Sequence, residues 1–429
     1  MGKRGKKPVA DQADSTEACS GSASTSTFAD LAAGVDVDEI DDRSALEIVI
    51  DALYEKRAAT REKALGGMIE LLQVYDNCLE VEERQDTVST LLTNCIRRGG
   101  ATEQERAVQA LGLVYAMLGC CDDSHKIFQE RVDILQKVCR SGKSADCRIA
   151  GVNALCAGSF ITTKDHRETM EVMEFLESIF SSDAEAKKCP DAGTRAAAVR
   201  GWALLLTTIP QELVKRQGYR ETRLAALSNL LQDNSVELRE AAGEGISVLF
   251  DAGQDPMSED ANNDRQGATE AAESEDAFSV QLEVVRERMT ELAKNLGDTS
   301  RRSKKDRSAQ KTTFRDVLGV LDGQGVSEVK LKLRHGDTLH ADSVCTVAQL
   351  NFFRRFLAGG FQDHLQHNPL LHEVFDFQPM HEPGERLSKT ERRMFKSPNS
   401  AASRARQKHR GAERASAALN RHALLGDAW

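Results

Sequence analysis

Apolar positions recur with helical spacing through the first 250 residues. Segments 44–54 (SALEIVIDALY) and 168–180 (ETMEVMEFLESIF) carry the i, i+3, i+4 stripe of amphipathic helices. Between such segments a second pattern returns five times: charged residues around an Arg or Lys, then small residues, then an aliphatic stripe. It reads TREKALGGMIELL at 60–72, EQERAVQALGLVYAML at 103–118, DCRIAGVNALCAGSFI at 146–161, TRAAAVRGWALLLTTI at 194–209 and ELREAAGEGISVLF at 237–250. Aligning Ala64, Ala107, Ala150, Ala197 and Ala241 gives steps of 43, 43, 47 and 44 residues. That is the period of HEAT and armadillo repeats, two or three helices per unit. Small residues at the crossing let the next helix approach, and the Leu/Ile/Val stripe fills the layer.

The spacing therefore predicts a mainly α chain: an armadillo/HEAT-like α-solenoid over 43–297. Within it, residues 251–276 hold nine acids against one base and predict an acidic loop. Phe278, Leu282, Val285, Met289, Leu292 and Leu296 then form a helical stripe that caps the solenoid. A basic linker is expected at 298–311, where 301–311 (RRSKKDRSAQK) has six Lys/Arg against one Asp. A small α+β module is expected at 312–378: a short helix at 314–321, then a period-two strand at 329–334 (Val329, Leu331 and Leu333 alternating with Lys330, Lys332 and Arg334). A turn at His335-Gly336-Asp337, a return strand through Leu339, and helices at 343–358 and 361–376 complete it. Residues 1–42, Ser/Thr/Ala-rich and then acidic, predict a disordered tail, and 379–429 a basic one.

Composition sharpens this picture in three ways. Eight Pro and 5% aromatics in 429 residues suit helices better than a β-sandwich. Ten scattered Cys with no CxxC pair, and no apolar run after the basic N-terminus, read as reduced thiols of a cytoplasmic protein, with a nuclear location left open; Lys3, Arg4, Lys6 and Lys7 fit either a nuclear signal or a solubilising tail. The charge is uneven. The chain is −10 overall, yet the stretch from Glu385 to Arg421 is +8, leaving −18 on the remainder.

No catalytic, cofactor or metal residues are expected. Gly142-Lys143-Ser144 resembles the end of a phosphate-binding loop, but Lys137 stands where the first glycine of that motif is required. His364, His367 and His372 cluster without an HExxH frame and read as surface or interface histidines. The tail has a different chemistry. Its candidate RNA-binding residues are Arg392, Arg393, Lys396, Arg404, Arg406, Lys408, Arg410 and Arg414. Of these, Arg404, Arg406, Lys408 and Arg410 alternate along the chain and on a helix spread around more than half its circumference, with no wide apolar stripe opposed to them. This suits phosphates on several sides and not a membrane surface. Arg301, Arg302, Lys304, Lys305 and Arg307 are candidates for further RNA contacts.

The order of these parts resembles the interferon-related developmental regulator family. The resemblance runs over about 43–411: the repeats, the FRDVL helix with SEVKLKLRHGDTLHADS, then FQDHLQHNPLLHEVFDF, then ERRMFKSPNSAASRARQKHR. Glu391, Arg392, Phe395, Asn399, Ser400, Ala401, Ala402, Arg404 and Arg406 fill the family's tail pattern, with Lys396, Ser397 and Pro398 inserted before Asn-Ser. The resemblance implies an armadillo/HEAT-like region, a smaller conserved C-terminal domain and a non-enzymatic regulator. It implies two roles: a factor bound to translationally inactive ribosomes with its C-terminal segment in the mRNA path, or a nuclear transcriptional co-regulator working through protein partners on the solenoid. The residue-level reading favours the ribosome and rRNA. No membrane or small-molecule substrate is expected as a partner.

Overall fold

A computed structural model describes residues 44–181, 191–254, 269–294 and 304–379, apart from 217, 327 and 334–336. The repeat pattern becomes a two-layered stack of helices. One row is built from α2 (Ala58–Leu72), α5 (Ala101–Leu118), α8 (Ala145–Thr162), α10 (Ala192–Leu206) and α13 (Val236–Asp251), each packed on the next. These are the five segments that share the alanine register. Behind them lies an outer row of α1 (Ala45–Tyr54), α4 (Gln85–Arg98), α7 (Val132–Ser141), α9 (His166–Phe180) and α12 (Tyr219–Leu230). The short helices α3 (Cys78–Glu83), α6 (Asp122–Gln129) and α11 (Gln211–Val214) make the third helix of three units.

Local chemistry starts these helices where the sequence changes character. Ser44 caps α1 in a capping box with Glu47. Ser144, Asp191 and Ser235 accept backbone N–H groups at the starts of α8, α10 and α13. The small residues then allow close stacking. Ala64, Ala107, Ala197 and Ala241 are buried. A Cβ on Gly112 would stand 3.2 Å from the Ala154 backbone, and one on Gly201 would run into Cys156 Sγ on the neighbouring helix.

The solenoid has a sixth layer. Helix α14 (Thr269–Ala293) buries Phe278, Leu282, Val285, Met289 and Leu292, and α15 (Lys304–Leu321) extends the inner row by packing on α13. This corrects three expectations. Residues 304–311 are not a linker but the first turns of an 18-residue helix. The boundary expected at 311–312 falls inside that helix, because Phe314 and Val317 carry its apolar face back onto Gly243 of α13. The acidic segment turns helical at Thr269, before its expected end at 276. The expected tail at 1–42, that at 379–429 beyond its first residue, and Leu296 lie outside the described residues.

The strands form as anticipated: β1 (Val329–Lys332) pairs antiparallel with β2 (Thr338–Ala341), placing Val329 opposite Ala341 and Leu331 opposite Leu339. Lys330, Lys332 and His340 face outward. The helices that follow do not make a separate core with them. Helix α16 (Val344–Leu357) lies on α10 and α13, and α17 (Phe361–His367) and α18 (Pro369–Val374) continue along the inner row towards the first unit. Contacts trace the path. Gln349 reaches Thr207, Phe353 meets Phe160 at 5.6 Å, Phe356 packs on Gly112, and Gly360 lies against Gln73. The chain thus straps its own solenoid from last unit to first. Phe352, Phe353, Phe356, Phe361 and Leu365 join the same apolar core as the repeats.

At its far end the strap is held by a closed polar network. His364 Nε2 donates to Leu72 O at 2.9 Å, and its Nδ1 accepts from Asn368 at 3.1 Å. Asn368 also donates to Ala116 O, and its Oδ1 accepts from Leu370 N at the start of α18, where Pro369 occupies the first turn. Asp363 accepts from Tyr75 N at 2.8 Å. Burial pushes the His364 pKa below its usual value, outweighing the Leu72 hydrogen bond and the nearby Asp363.

Two predictions follow from this packing. Gly201→Ala and Gly158→Ala each improve intrinsic helix propensity by about 1 kcal/mol. Both should nevertheless lower the stability measured by denaturant unfolding, by roughly 1–3 kcal/mol, because a Cβ overpacks the crossing. As pH falls through about 6.5, unfolded His364 gains a proton that the folded side chain refuses, so stability should fall in that window. Melting wild-type and His364→Gln protein at pH 7.5 and 5.5 checks this: the variant should lose less on acidification.

Candidate nucleic-acid interface

The tail cations Arg392, Arg393, Lys396, Arg404, Arg406, Lys408, Arg410 and Arg414 lie outside the described residues, as do Arg301 and Arg302. Lys304, Lys305 and Arg307 fall in the first turns of α15, which attaches them to the end of the inner row. A second group of cations emerges only from the fold. Among the described residues, stacking in register brings the outer-to-inner turns to one edge of the solenoid and the inner-to-outer turns to the other. An inner helix of 15 to 18 residues separates the two edges by about 25 Å.

Over the first three units these edges differ in sign; further on, the inner-to-outer turn 207–218 holds Lys215 and Arg216 against Glu212, and the outer-to-inner turn 231–235 holds only Asp233. Turns 55–63, 97–106 and 140–148 hold ten Lys/Arg against five Asp/Glu. The opposite turns, 73–86, 119–131 and 163–171, hold five against eleven. On the basic edge Lys56, Arg57, Lys63, Arg97 and Arg98 are exposed, and the inner helices point their N-termini the same way. Helix N-termini favour anions. Helix α2 has neither a side-chain cap nor an acid in its first turn, whereas the Glu103 carboxylate already supplies negative charge at the start of α5.

The other arginines of this edge are structural. Arg61 makes a two-pronged pair with Glu103 of the next unit, at 2.7 and 3.0 Å. Burial alone would raise the Glu103 carboxyl, but the bonded guanidinium wins and holds it below the usual carboxylate range. Arg106 donates to Glu62 O, Arg195 pairs with Asp233 at 3.2 Å, and Arg239 reaches Gln310 of α15 at 2.8 Å. Gly142-Lys143-Ser144 belongs to the same ladder. Lys143 Nζ donates to Gly99 O, and Ser144 caps α8. The charged opening of each repeat is therefore partly a clamp between units and partly an exposed cation.

The histidines divide in a similar way. His364 is buried in the strap network, His372 Nε2 donates to Leu365 O, and His367 lies 3.5 Å from Asp363. Among the described residues no three His, Cys, Asp or Glu side chains converge as a metal site. Cys95, Cys139, Cys147 and Cys156 are buried and in the thiol form, and burial lifts the Cys95 pKa to about 12. Among the described residues no helix is long and apolar enough to cross a membrane.

A model of the interferon-related developmental regulator family matches residues 15–322, which ends where α15 ends. The chain belongs to this family. An interferon-related protein conserved region matches 368–417, from the strap's Asn368 into the basic tail. Human interferon-related developmental regulator 1 is 28% identical over 95% of this chain and 89% of its own length. The pig protein of the same name is 27% identical over the same shares. Mouse interferon-related developmental regulator 2 is 28% identical over 83% of this chain and 78% of its own. An archaeal HEAT-like repeats protein from Thermococcus onnurineus NA1 overlays with a TM-score of 0.39 and 14% identity, covering 68% of this chain and 93% of that one; it is too distant to carry an argument. Membership makes this regulator's repeats and its tail parts of one family architecture.

The Arg61–Glu103 clamp gives this regulator an acid-sensitive joint. Its contribution is present above the unfolded Glu value of about 4.3 and is lost as pH falls through the lower folded value. Glu103→Ala removes the carboxylate from Arg61, which keeps its bonds to Glu55 O and Lys56 O, and should cost about 1.5–2 kcal/mol in unfolding measurements at pH 7. The gap between variant and wild type should narrow at pH 3–4.

Proposed function

We propose that this family member is a non-enzymatic, cytoplasmic ribosome-binding factor. Its basic tail, residues 384–421, enters an RNA-lined path, occludes mRNA, and represses translation or marks idle ribosomes. The observation that carries this reading is the segregation of charge: +8 on the tail against −18 on the rest. Counterion release makes such a tail seek phosphate in a salt-dependent, sequence-tolerant way. A body of opposite sign confines that contact to the tail and to local patches. The exposed cations at Lys56, Arg57, Arg97 and Arg98 support a second contact on the solenoid edge.

The co-regulator reading places protein partners on the solenoid, in the nucleus. The strap weighs against it in one respect. The face of the inner row, which a helical-repeat groove would offer to a partner, is covered by α16–α18. Partners would be left the outer row and the edges.

Co-sedimentation with vacant ribosomes over a salt series tests the proposal. Replacing Arg404, Arg406, Arg410 and Arg414 by Glu should weaken binding at least tenfold and flatten the log–log salt slope by roughly 3 units. Replacing Lys56, Arg57, Arg97 and Arg98 by Glu should give a smaller loss. Binding that is unchanged in the tail variant rules the reading out and leaves the scaffold role to be pursued.

A further inference from the structure

A cavity of about 320 Å³ opens where the strap begins, between α10, α13, α15, β1 and α16. Its floor is apolar, made by Val248, Val317, Val320, Val329, Val347 and Phe352. Its rim is charged. Glu244, Asp316 and Glu328 line it together with Arg200 and Arg355. Glu237 holds Arg200 at 2.8 Å, and Glu244 lies 3.6 Å from Arg200 and 3.8 Å from Arg355. Beside them Glu240 has a buried Oε1 with no hydrogen-bond partner. Five carboxyl groups (Glu237, Glu240, Glu244, Asp316 and Glu328) thus face three cations: Arg200, Arg355, and the Lys330 that holds Glu328 at 2.8 Å. Burial, then the Glu244 charge, pushes the Glu240 pKa up, and burial pushes up that of Asp316; a further cation at the rim would favour their charged forms. A ligand matched to this site has an apolar side chain for the floor and cations for the rim.

We propose that the occupant is the chain's own segment Glu391–Lys396, with Met394 and Phe395 in the cavity and Arg392, Arg393 and Lys396 on the carboxylate rim. Three observations favour this segment. It is an apolar pair enclosed by three cations, in a stretch where Phe395 is the one aromatic between Glu385 and Arg421. The chain leaves the described residues close to the cavity. After reaching the first unit it turns back, and Phe375 packs against Phe353 at 6.1 Å, whose ring neighbour Phe352 lines the cavity wall. The 17 residues from Phe377 to Met394 span up to about 55 Å when extended, so reach is not limiting.

Docking engages three of the cations that the ribosome reading assigns to RNA. The acidic rim and rRNA phosphate then compete for one segment, and the tail is released only where phosphate is dense. The docking stands without the ribosome reading, whereas this consequence rests on it.

Hydrogen exchange on the full chain without RNA tests the docking. Phe395→Asp leaves the described fold untouched, which circular dichroism verifies. It should speed exchange in 316–321 and 344–352 at least tenfold over wild type. A labelled peptide of residues 388–398 should bind the Phe395→Asp chain, weaken with salt, and bind at least tenfold less well when Glu244→Gln and Asp316→Asn are added. The wild-type chain, already occupied, should bind it poorly. Equal exchange in wild type and Phe395→Asp, or equal peptide binding by both, overturns the docking. Ribosome co-sedimentation separates the two readings. Slower exchange in the wild type with no ribosome binding keeps the docking and removes the ribosome role. Tighter ribosome binding by Phe395→Asp supports the competition.

Discussion

Successive inner helices approach until a glycine or alanine on one meets side chains of the next, and this contact sets the geometry of the whole chain. At Gly201 and Cys156, and at Gly112 and Ala154, there is no room for a larger residue. Close approach at several points fixes the offset between units, and a fixed offset means that equivalent turns superpose. Residues separated by one period therefore share an edge. Arg61 can reach Glu103, and Lys143 can reach Gly99. Nothing else in the fold would bring cations from 56, 97 and 143 together. The basic edge is thus a consequence of core packing, although none of its exposed residues is in the core.

The same row supports the strap. Aromatic residues at 352, 353 and 356 are spaced to bury one side of α16, and the inner helices supply the complementary surface at Phe160 and Gly112. Burying large aromatic side chains is worth several kcal/mol at each site. The strap is accordingly part of the folded body and not a ligand of it. This changes what a helical-repeat protein can do. Its usual asset is an open inner groove, and here that groove is already filled by the chain. A partner approaching the described body is left the edges and the outer row.

The repeat was legible because stacking writes itself into sequence at a fixed period: small residues at the crossings, an aliphatic stripe around them. Ala64, Ala107, Ala197 and Ala241 sit in the core as their spacing required. The hairpin was legible from alternation at 329–333. Half of the sixth layer was legible too, from the stripe between Phe278 and Leu292. Its inner helix α15 was not, because Lys304 to Lys311 is rich in charge and a polar residue, Gln310, makes the contact with Arg239. A basic run that makes a helix's first turns looks like a linker until its partner is known. The strap was missed for a different reason. A helix pattern reports that a face will be buried, not against what, and the contacts of 349, 353, 356 and 364 lie 142 to 292 residues away at Thr207 and Leu72. The edge cations were visible as the charged opening of each repeat. Only the fold separates those that clamp, such as Arg61, from those that are exposed, such as Arg97.

Charge then ties the parts together. A −18 remainder joined to a +8 tail cannot be electrostatically indifferent to itself at physiological salt, where the screening length is about 8 Å. Tail and body attract at short range unless something denser in negative charge takes the tail. Nucleic acid, with a phosphate every few ångströms, is such a competitor, and a dispersed acidic protein surface is a weak one. A single deep site with an apolar floor alters that balance by adding burial to attraction. The cavity between α13, α15 and α16 brings carboxyl groups and an apolar floor together. Because its walls come from both the last repeats and the first turn of the strap, the site exists only in the assembled fold. An unstrapped or partly unfolded chain would lose its hold on the tail, so integrity of the body and control of the tail depend on the same contacts.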